Sequence, residues 1–274
     1  MRKAGIFLIF VLLSPALTPS SFACTDFRVT AKDGTVLITR SLEYAADLNS
    51  NLRSSPRGRL FKTESPDAKA GLSWKAKYGY LFLDGMGVDV AIDGMNEAGL
   101  SIEALYLPNF AEYQQVPAGS NSHALPYLNF GDWILSNFAN IDEVRKALPT
   151  VYVYAAKVPS LGDMIFPLHY AIFDSTGKGI VVEYVAGKLH VYDHLGIMTN
   201  SPTYDWHLNN LSNYLHLAPV NPPSIVANGI TFGSNGQGFG MLGLPGDVSP
   251  PLPLRPHRHL GPCGSPRRKR HRRP

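Results

Sequence analysis

Ser21-Phe22-Ala23-Cys24-Thr25-Asp26-Phe27-Arg28-Val29-Thr30-Ala31 is the stretch on which the reading of this chain turns. Upstream of it, Arg2 and Lys3 precede the apolar run from Gly5 to Leu13, turn residues follow, and Ser21 and Ala23 stand at −3 and −1 of a cleavage point. A charged start, an apolar segment short for a bilayer and small residues before the cut are the pattern of a secretory signal peptide over residues 1–23. A membrane anchor is the alternative. A lipoprotein signal is disfavoured because Ser21, not Leu, stands three residues before Cys24. Cleavage after Ala23 would make Cys24 the first residue of a secreted or periplasmic protein, with no membrane attachment left.

Downstream, the stretch reads as a strand. Lys32-Asp33-Gly34 is a turn signal, and Thr35 to Thr39 is a second strand, so the two form a hairpin. Val88 to Asp93 and Leu100 to Tyr106 form another hairpin around Gly94-Met95-Asn96-Glu97-Ala98-Gly99, where Asn96 has a structural role. Strands are also predicted at His169 to Phe173, Ile180 to Tyr184 and Lys188 to Tyr192. Helices are predicted at Leu125 to Ala139, at Ile141 to Leu148 behind the cap-like Asn140, and at Tyr204 to Leu217. Hairpins interleaved with few helices indicate an α+β fold.

The chain has 274 residues, 45% of them hydrophobic, enough for a real core. Of its 25 basic residues, two lie in residues 1–23 and eight in residues 252–274, neither segment holding an acid. Residues 24–251 therefore carry 15 basic against 21 acidic residues and a net charge of −6. An acidic body gives no support to nucleic-acid binding. Two cysteines exclude a disulfide framework and a Cys-rich zinc site. Residues 252–274, almost entirely Pro, Arg, His, Gly and Leu, are predicted to be disordered.

A cysteine at a new N-terminus joins nucleophile and base on one residue. Its α-amine has a reference pKa near 7.7–8.0 and can accept the thiol proton, with no histidine required. The other readings of Cys24 are a small buried hydrophobe or a partner of Cys263 in a disulfide.

Six blocks extend the argument: Cys24-Thr25, Thr39-Arg40-Ser41-Leu42-Glu43-Tyr44, Ser55-Pro56-Arg57-Gly58, Asp93 to Leu100, Met198 to Asp205, and Leu244-Pro245-Gly246-Asp247. In this order and spacing the chain resembles the choloylglycine hydrolase family, the N-terminal-nucleophile hydrolases that include penicillin V acylases and conjugated bile salt hydrolases. The resemblance implies an αββα sandwich, hydrolysis of a linear, non-peptide amide through an S-acyl enzyme, no cofactor or metal, and a small-molecule amide substrate; intact relatives are often homotetramers. It makes Cys24 the nucleophile, puts Arg40 beside the thiol, places Glu43 where the family commonly has Asp, and gives the oxyanion the Asn200 side-chain amide and the Tyr106 backbone N–H. Each such donor can be worth about 3 kcal/mol. An aromatic Tyr106 points to the acylases, acting on penicillin V or N-acyl homoserine lactones, where bile salt hydrolases have Asn.

The pattern breaks after Pro251. The family continues with Ser-Arg-Phe-Val-Arg, and Pro253 stands where its first Arg, an active-site residue, is expected. Leu252 to Gly261 can be encoded so that dropping one base yields Ser-Arg-Phe-Val-Arg-Thr-Ala-Ile-Trp. The expectation is a frameshift near codon 252, a domain over residues 24–251 incomplete at its C-terminus, and impaired activity. A secreted binding domain with an incidental Cys24, and a nucleic-acid or membrane-surface binder using the basic tail, are the competing functions.

Overall fold

The computed structural model describes residues 24–244 apart from 45 and 235, so the signal-peptide reading of 1–23 and the tail reading of 252–274 lie outside the described residues. Two compact units divide the chain after Asp205. The first holds the strands β1 (Thr25–Thr30), β2 (Val36–Ser41), β3 (Leu52–Ser55), β4 (Leu60–Glu64), β5 (Ala70–Lys75), β6 (Tyr80–Gly85), β7 (Val88–Asn96) and β8 (Ser101–Tyr106). There follow β9 (Ala124–Pro126), helices α1 (Phe130–Asn137) and α2 (Ile141–Ala147), then β10 (Tyr152–Tyr154), β11 (Leu168–Phe173), β12 (Gly179–Val185), β13 (Lys188–Asp193), β14 (Ile197–Thr199) and the start of α3 (Tyr204–Leu211). In the second unit β15 (Ile225–Ala227) and β16 (Ile230–Phe232) form a hairpin.

Two sheets position everything else. One has seven antiparallel strands in the order β13-β12-β11-β8-β7-β6-β3; the other has three, β14-β1-β2. The inner strands of the larger sheet are buried on both faces, as in Ser101–Tyr106 and Gly179–Val185, because one face meets helices and the other the smaller sheet. Ile102, Ile172, Ile180 and Val182 are fully buried with Phe130, Ile134 and Leu135 of α1 and Ile141 and Val144 of α2. Each contributes about 1.5–3 kcal/mol from burial.

Helix α1 approaches β7 so closely that a Cβ on Gly131 would lie 2.1 Å from the Ala91 carbonyl oxygen. Asn96 has the structural role read from the hairpin turn. Its Nδ2 donates to the carbonyls of Leu135 and Phe138 at the end of α1, and its Oδ1 accepts from the N–H groups of Ala98 and Leu100. Helix α2 starts at a reciprocal cap: Asn140 Oδ1 accepts from Glu143 N–H at 3.0 Å, and Glu143 Oε2 accepts from Ala139 N–H at 2.9 Å.

The hairpins lie where the turn chemistry put them, with Gly34 at φ 89° and the Ala186-Gly187 pair at φ 51° and 71°. Two helices are shorter than the sequence indicates. Leu125 precedes Pro126, which disfavours helical backbone, so residues 124–126 form a strand parallel to β10 and α1 begins at Phe130. Helix α3 stops at Leu211, where Asn210, Ser212 and Asn213 offer the backbone competing local hydrogen bonds.

Candidate active site

Strand pairing builds the site. Thr25 pairs with Thr199 and with Ser41, so continuing each antiparallel register by one residue sets Asn200 and Leu42 on either side of Cys24. Thr199 Oγ1 donates to the Cys24 carbonyl at 2.8 Å and fixes the junction. Cys24 is buried with a free thiol, and its Sγ lies 3.7 Å from the backbone carbonyl oxygen of Glu43. Cys24, Arg40, Glu43, Tyr106 and Asn200 all line one cavity of about 640 Å³. Most of its remaining lining is apolar, including Leu42, Met86, Val90, Leu128, Leu161 and Phe166.

Arg40 projects from β2 toward the larger sheet. Its Nη1 donates to Asp93 Oδ1 at 2.9 Å and to the Ala104 carbonyl at 2.6 Å, and the Ala104 N–H donates to the same Asp93 oxygen at 3.1 Å. The guanidinium is thus a bolt between the two sheets as well as the cation of the cavity. Burial pushes the Asp93 carboxyl up, with the Arg40 charge opposing it.

The contacts of Tyr106 and Glu43 add detail to the expected site. The Tyr106 N–H does not point into the cavity as a second oxyanion donor: it donates to Asn200 Oδ1 at 3.1 Å and so orients the Asn200 amide. The Ser201 N–H donates back to the Tyr106 carbonyl at 3.3 Å and Ser201 Oγ to the Pro108 carbonyl at 2.8 Å, so the segment carrying Asn200 is laced to the end of β8. The Glu43 carboxylate accepts from Ser41 Oγ at 3.2 Å, and Ser41 Oγ in turn accepts from the Thr25 N–H. It is the Glu43 backbone carbonyl, not its carboxylate, that faces Cys24. The Tyr106 ring meets Tyr44 edge-on at 6.5 Å between centroids, and both line the cavity.

The residue-by-residue reading missed the layer behind Cys24. Asp26, two residues along β1 on the same face, is fully buried with its Oδ2 2.7 Å from His194 Nε2. Glu103 on β8 faces it, and burial, then the hydrogen bond and charge of Asp26, push the Glu103 carboxyl up to about 9. The period of two along β1 was the signal that could have found Asp26; no local signal marks Glu103 or His194.

A strand led by a buried cysteine at the edge of a cavity, a small sheet stacked on a large one and helices on the far face of the large one are the fold of the N-terminal-nucleophile hydrolases. A family model for linear amide C–N hydrolases, choloylglycine hydrolase family, matches residues 24–253. The chain belongs to that family, whose members hydrolyse linear amides. It is 34% identical over 237 residues to the bile salt hydrolase/transferase of Clostridium perfringens, covering 83% of this chain and 68% of that one. The crystal structure of a variant of the conjugated bile acid hydrolase from Clostridium perfringens superposes with a TM-score of 0.67 at 33% identity, covering 83% of this chain and 68% of that one. Penicillin V acylase from Agrobacterium tumefaciens superposes with a TM-score of 0.59 at 27% identity, covering 72% and 61%.

Proposed function

We propose that this protein is a secreted or periplasmic amidase that acts after cleavage behind Ala23, with Cys24 as its N-terminal nucleophile. The observation that carries this reading is the shared cavity, in which Cys24, Arg40 and Asn200 meet an apolar lining of a size that suits a bulky acyl group. Cleavage converts the Cys24 amide nitrogen into an amine, which takes the thiol proton. Sγ attacks the substrate carbonyl carbon, and the oxyanion accepts a hydrogen bond from the Asn200 side-chain amide. The intermediate collapses as the α-ammonium returns its proton to the departing amine, leaving a thioester. Water, losing a proton to the same amine, attacks the thioester and releases the carboxylic acid and the thiol.

The substrates this reading favours are penicillin V and N-acyl homoserine lactones. The aromatic Tyr106 and its contact with Tyr44 support an apolar or aromatic acyl group. Bile salt conjugates are the second reading, supported by the 34% identity to a bile salt hydrolase/transferase. Mass-spectrometric product analysis with penicillin V, an N-acyl homoserine lactone and a glycine-conjugated bile salt separates them. Release of the acid and free amine by the processed protein is expected, lost in Cys24→Ser and in protein retaining Ala23. Unchanged turnover in Cys24→Ser would end the reading in favour of an incidental cysteine. We also read Leu252 onward as out of frame, with Pro253 in place of an active-site arginine and a lowered rate as the consequence; an in-frame DNA sequence through codon 252 contradicts it.

A further inference from the structure

We propose that Asp26 and Glu103 share a single proton, and that this shared proton is a strut positioning strand β1, which follows directly on Cys24, against strand β8, which ends at Tyr106. Asp26 is fully buried and Glu103 nearly so, yet no N–H or O–H among the described residues hydrogen-bonds Asp26 Oδ1 or Glu103 Oε2. Water-excluded carboxylate oxygens without donors are costly, and native cores rarely leave them so. The two carboxyl groups lie within hydrogen-bonding reach of each other. As two carboxylates they are acceptors only and repel; with one proton between them they become a donor and an acceptor.

His194 meets only one side of the pair. Its Nδ1 accepts from the Gly196 N–H at 2.9 Å, which leaves Nε2 facing Asp26 Oδ2 at 2.7 Å, so the ring meets at most one Asp26 oxygen. Asp93 is the cross-strand partner of Glu103 on β7, and Ala171 its apolar partner on β11. Farther along the same face of β11, His169 is held by Glu183, Nδ1 to Oε1 2.9 Å. Arg40 on β2 is held by Asp93 and the Ala104 carbonyl. Tyr204 at the start of α3 stacks near His194, its N–H donating to Glu183 Oε1 on β12. Three buried carboxyl groups crowd one arginine, and the pair without a donor is where a proton resolves the geometry.

The link matters because of what it joins. Arg40 already ties β2 to β7 and β8; the Asp26–Glu103 pair ties β1, the middle strand of the small sheet, to the same β8. Deprotonation would turn that tie into repulsion directly behind Cys24.

The test uses the full chain and needs no turnover, so it stands apart from the proposed activity. Glu103→Gln replaces the shared proton with a permanent N–H donor, and Glu103→Leu supplies none. The folded wild type holds a proton that a free glutamate releases near pH 4.5, so its stability falls as pH rises from there to about 9. Thermal midpoints are expected to be similar for wild type and Glu103→Gln near the acid end, with the variant ahead by at least about 3 °C at the alkaline end. Glu103→Leu is expected below Glu103→Gln throughout. A wild type–Gln difference that stays constant with pH, or a Leu variant equal to Gln, overturns the proposal. If Glu103→Gln does not fold, Asp26→Asn decides: it should flatten the alkaline part of the wild-type slope, and a retained slope overturns the idea. Hydrogen exchange, corrected for intrinsic rates, reports on positioning: at the alkaline end residues 25–30 should be less protected in wild type than in Glu103→Gln, and equal protection removes the strut.

Discussion

The two sheets of the first unit are built on opposite terms. The inner strands of the seven-stranded sheet, β8, β11 and β12, are buried on both sides, with Ile102, Ile172 and Ile180 fully buried beneath α1 and α2. The three-stranded sheet hides one face, Cys24 and Asp26, and shows the other: Phe27, Val29, Leu37 and Ile197 are 40–59% exposed. Dispersion and apolar burial hold the first, whereas the second is fastened to it by Arg40–Asp93, Arg40 to the Ala104 carbonyl, and the Asp26 layer. The lesson is a division of labour. The sheet that bears the cysteine carries the proposed nucleophile and depends on directional polar contacts for its position, while the sheet behind it contributes the stability on which those contacts rest.

That contrast can be broken experimentally, and the largest effect is expected at Cys24. Cys24→Ala should lower amidase turnover by on the order of 10³-fold or more while leaving the melting curve close to wild type; a matching loss of stability would mean that the small sheet is part of the core. Phe130→Ala should do the reverse, costing about 3–5 kcal/mol in chemical denaturation because it empties the contact between α1 and the large sheet. Asn200→Ala should reduce kcat by about 10²–10³-fold, a loss seen in kcat rather than KM if the amide acts on the oxyanion.

Smaller effects sharpen the same line. Asp132 on α1 accepts from the Tyr80 hydroxyl at 2.6 Å, and burial pushes its carboxyl up to about 6, with the Tyr80 hydrogen bond opposing. The folded state thus keeps a proton that a free aspartate releases near 3.8, so its stabilising contribution is complete below that pH and fades as pH rises through about 6. Asp132→Asn should remove that slope from midpoints measured across the interval; a slope identical to wild type would place the titration elsewhere. Leu37→Ser, on the open face of β2, should shift stability by no more than about 0.5 kcal/mol. A cost several times larger would show that this face is covered in solution.

The hairpins were legible because their determinants are local. Asp33-Gly34 and Ala186-Gly187 supply the backbone freedom that tight turns need, and Asn140 caps α2 within four residues of chain. The hairpin of β15 and β16 carried an equally plain signal, Asn228-Gly229, both at positive φ. The start of α1 was misread because apolar periodicity runs on through Leu125, whereas Pro126 and the pairing with β10 decide that segment. At the site, Cys24, Arg40, Glu43, Tyr106 and Asn200 do converge on one cavity. What residue identity did not show is which atom of each faces which: the Glu43 carbonyl rather than its carboxylate meets the thiol, and the Tyr106 N–H is spent on Asn200.

By itself the sequence determined the α+β class, the order of the hairpins it signalled, the acidic charge of the body and the cysteine on which the proposed chemistry rests. These follow from turn residues, period-two patterning and composition, all of which act over a few neighbouring residues. The tertiary structure alone decided that Asp26, Glu103 and His194, from separate parts of the chain, crowd behind Cys24, and that Arg40 bridges the two sheets. Such contacts depend on register and on burial between layers, where a missing donor or an extra charge acquires its energy only when water has been excluded.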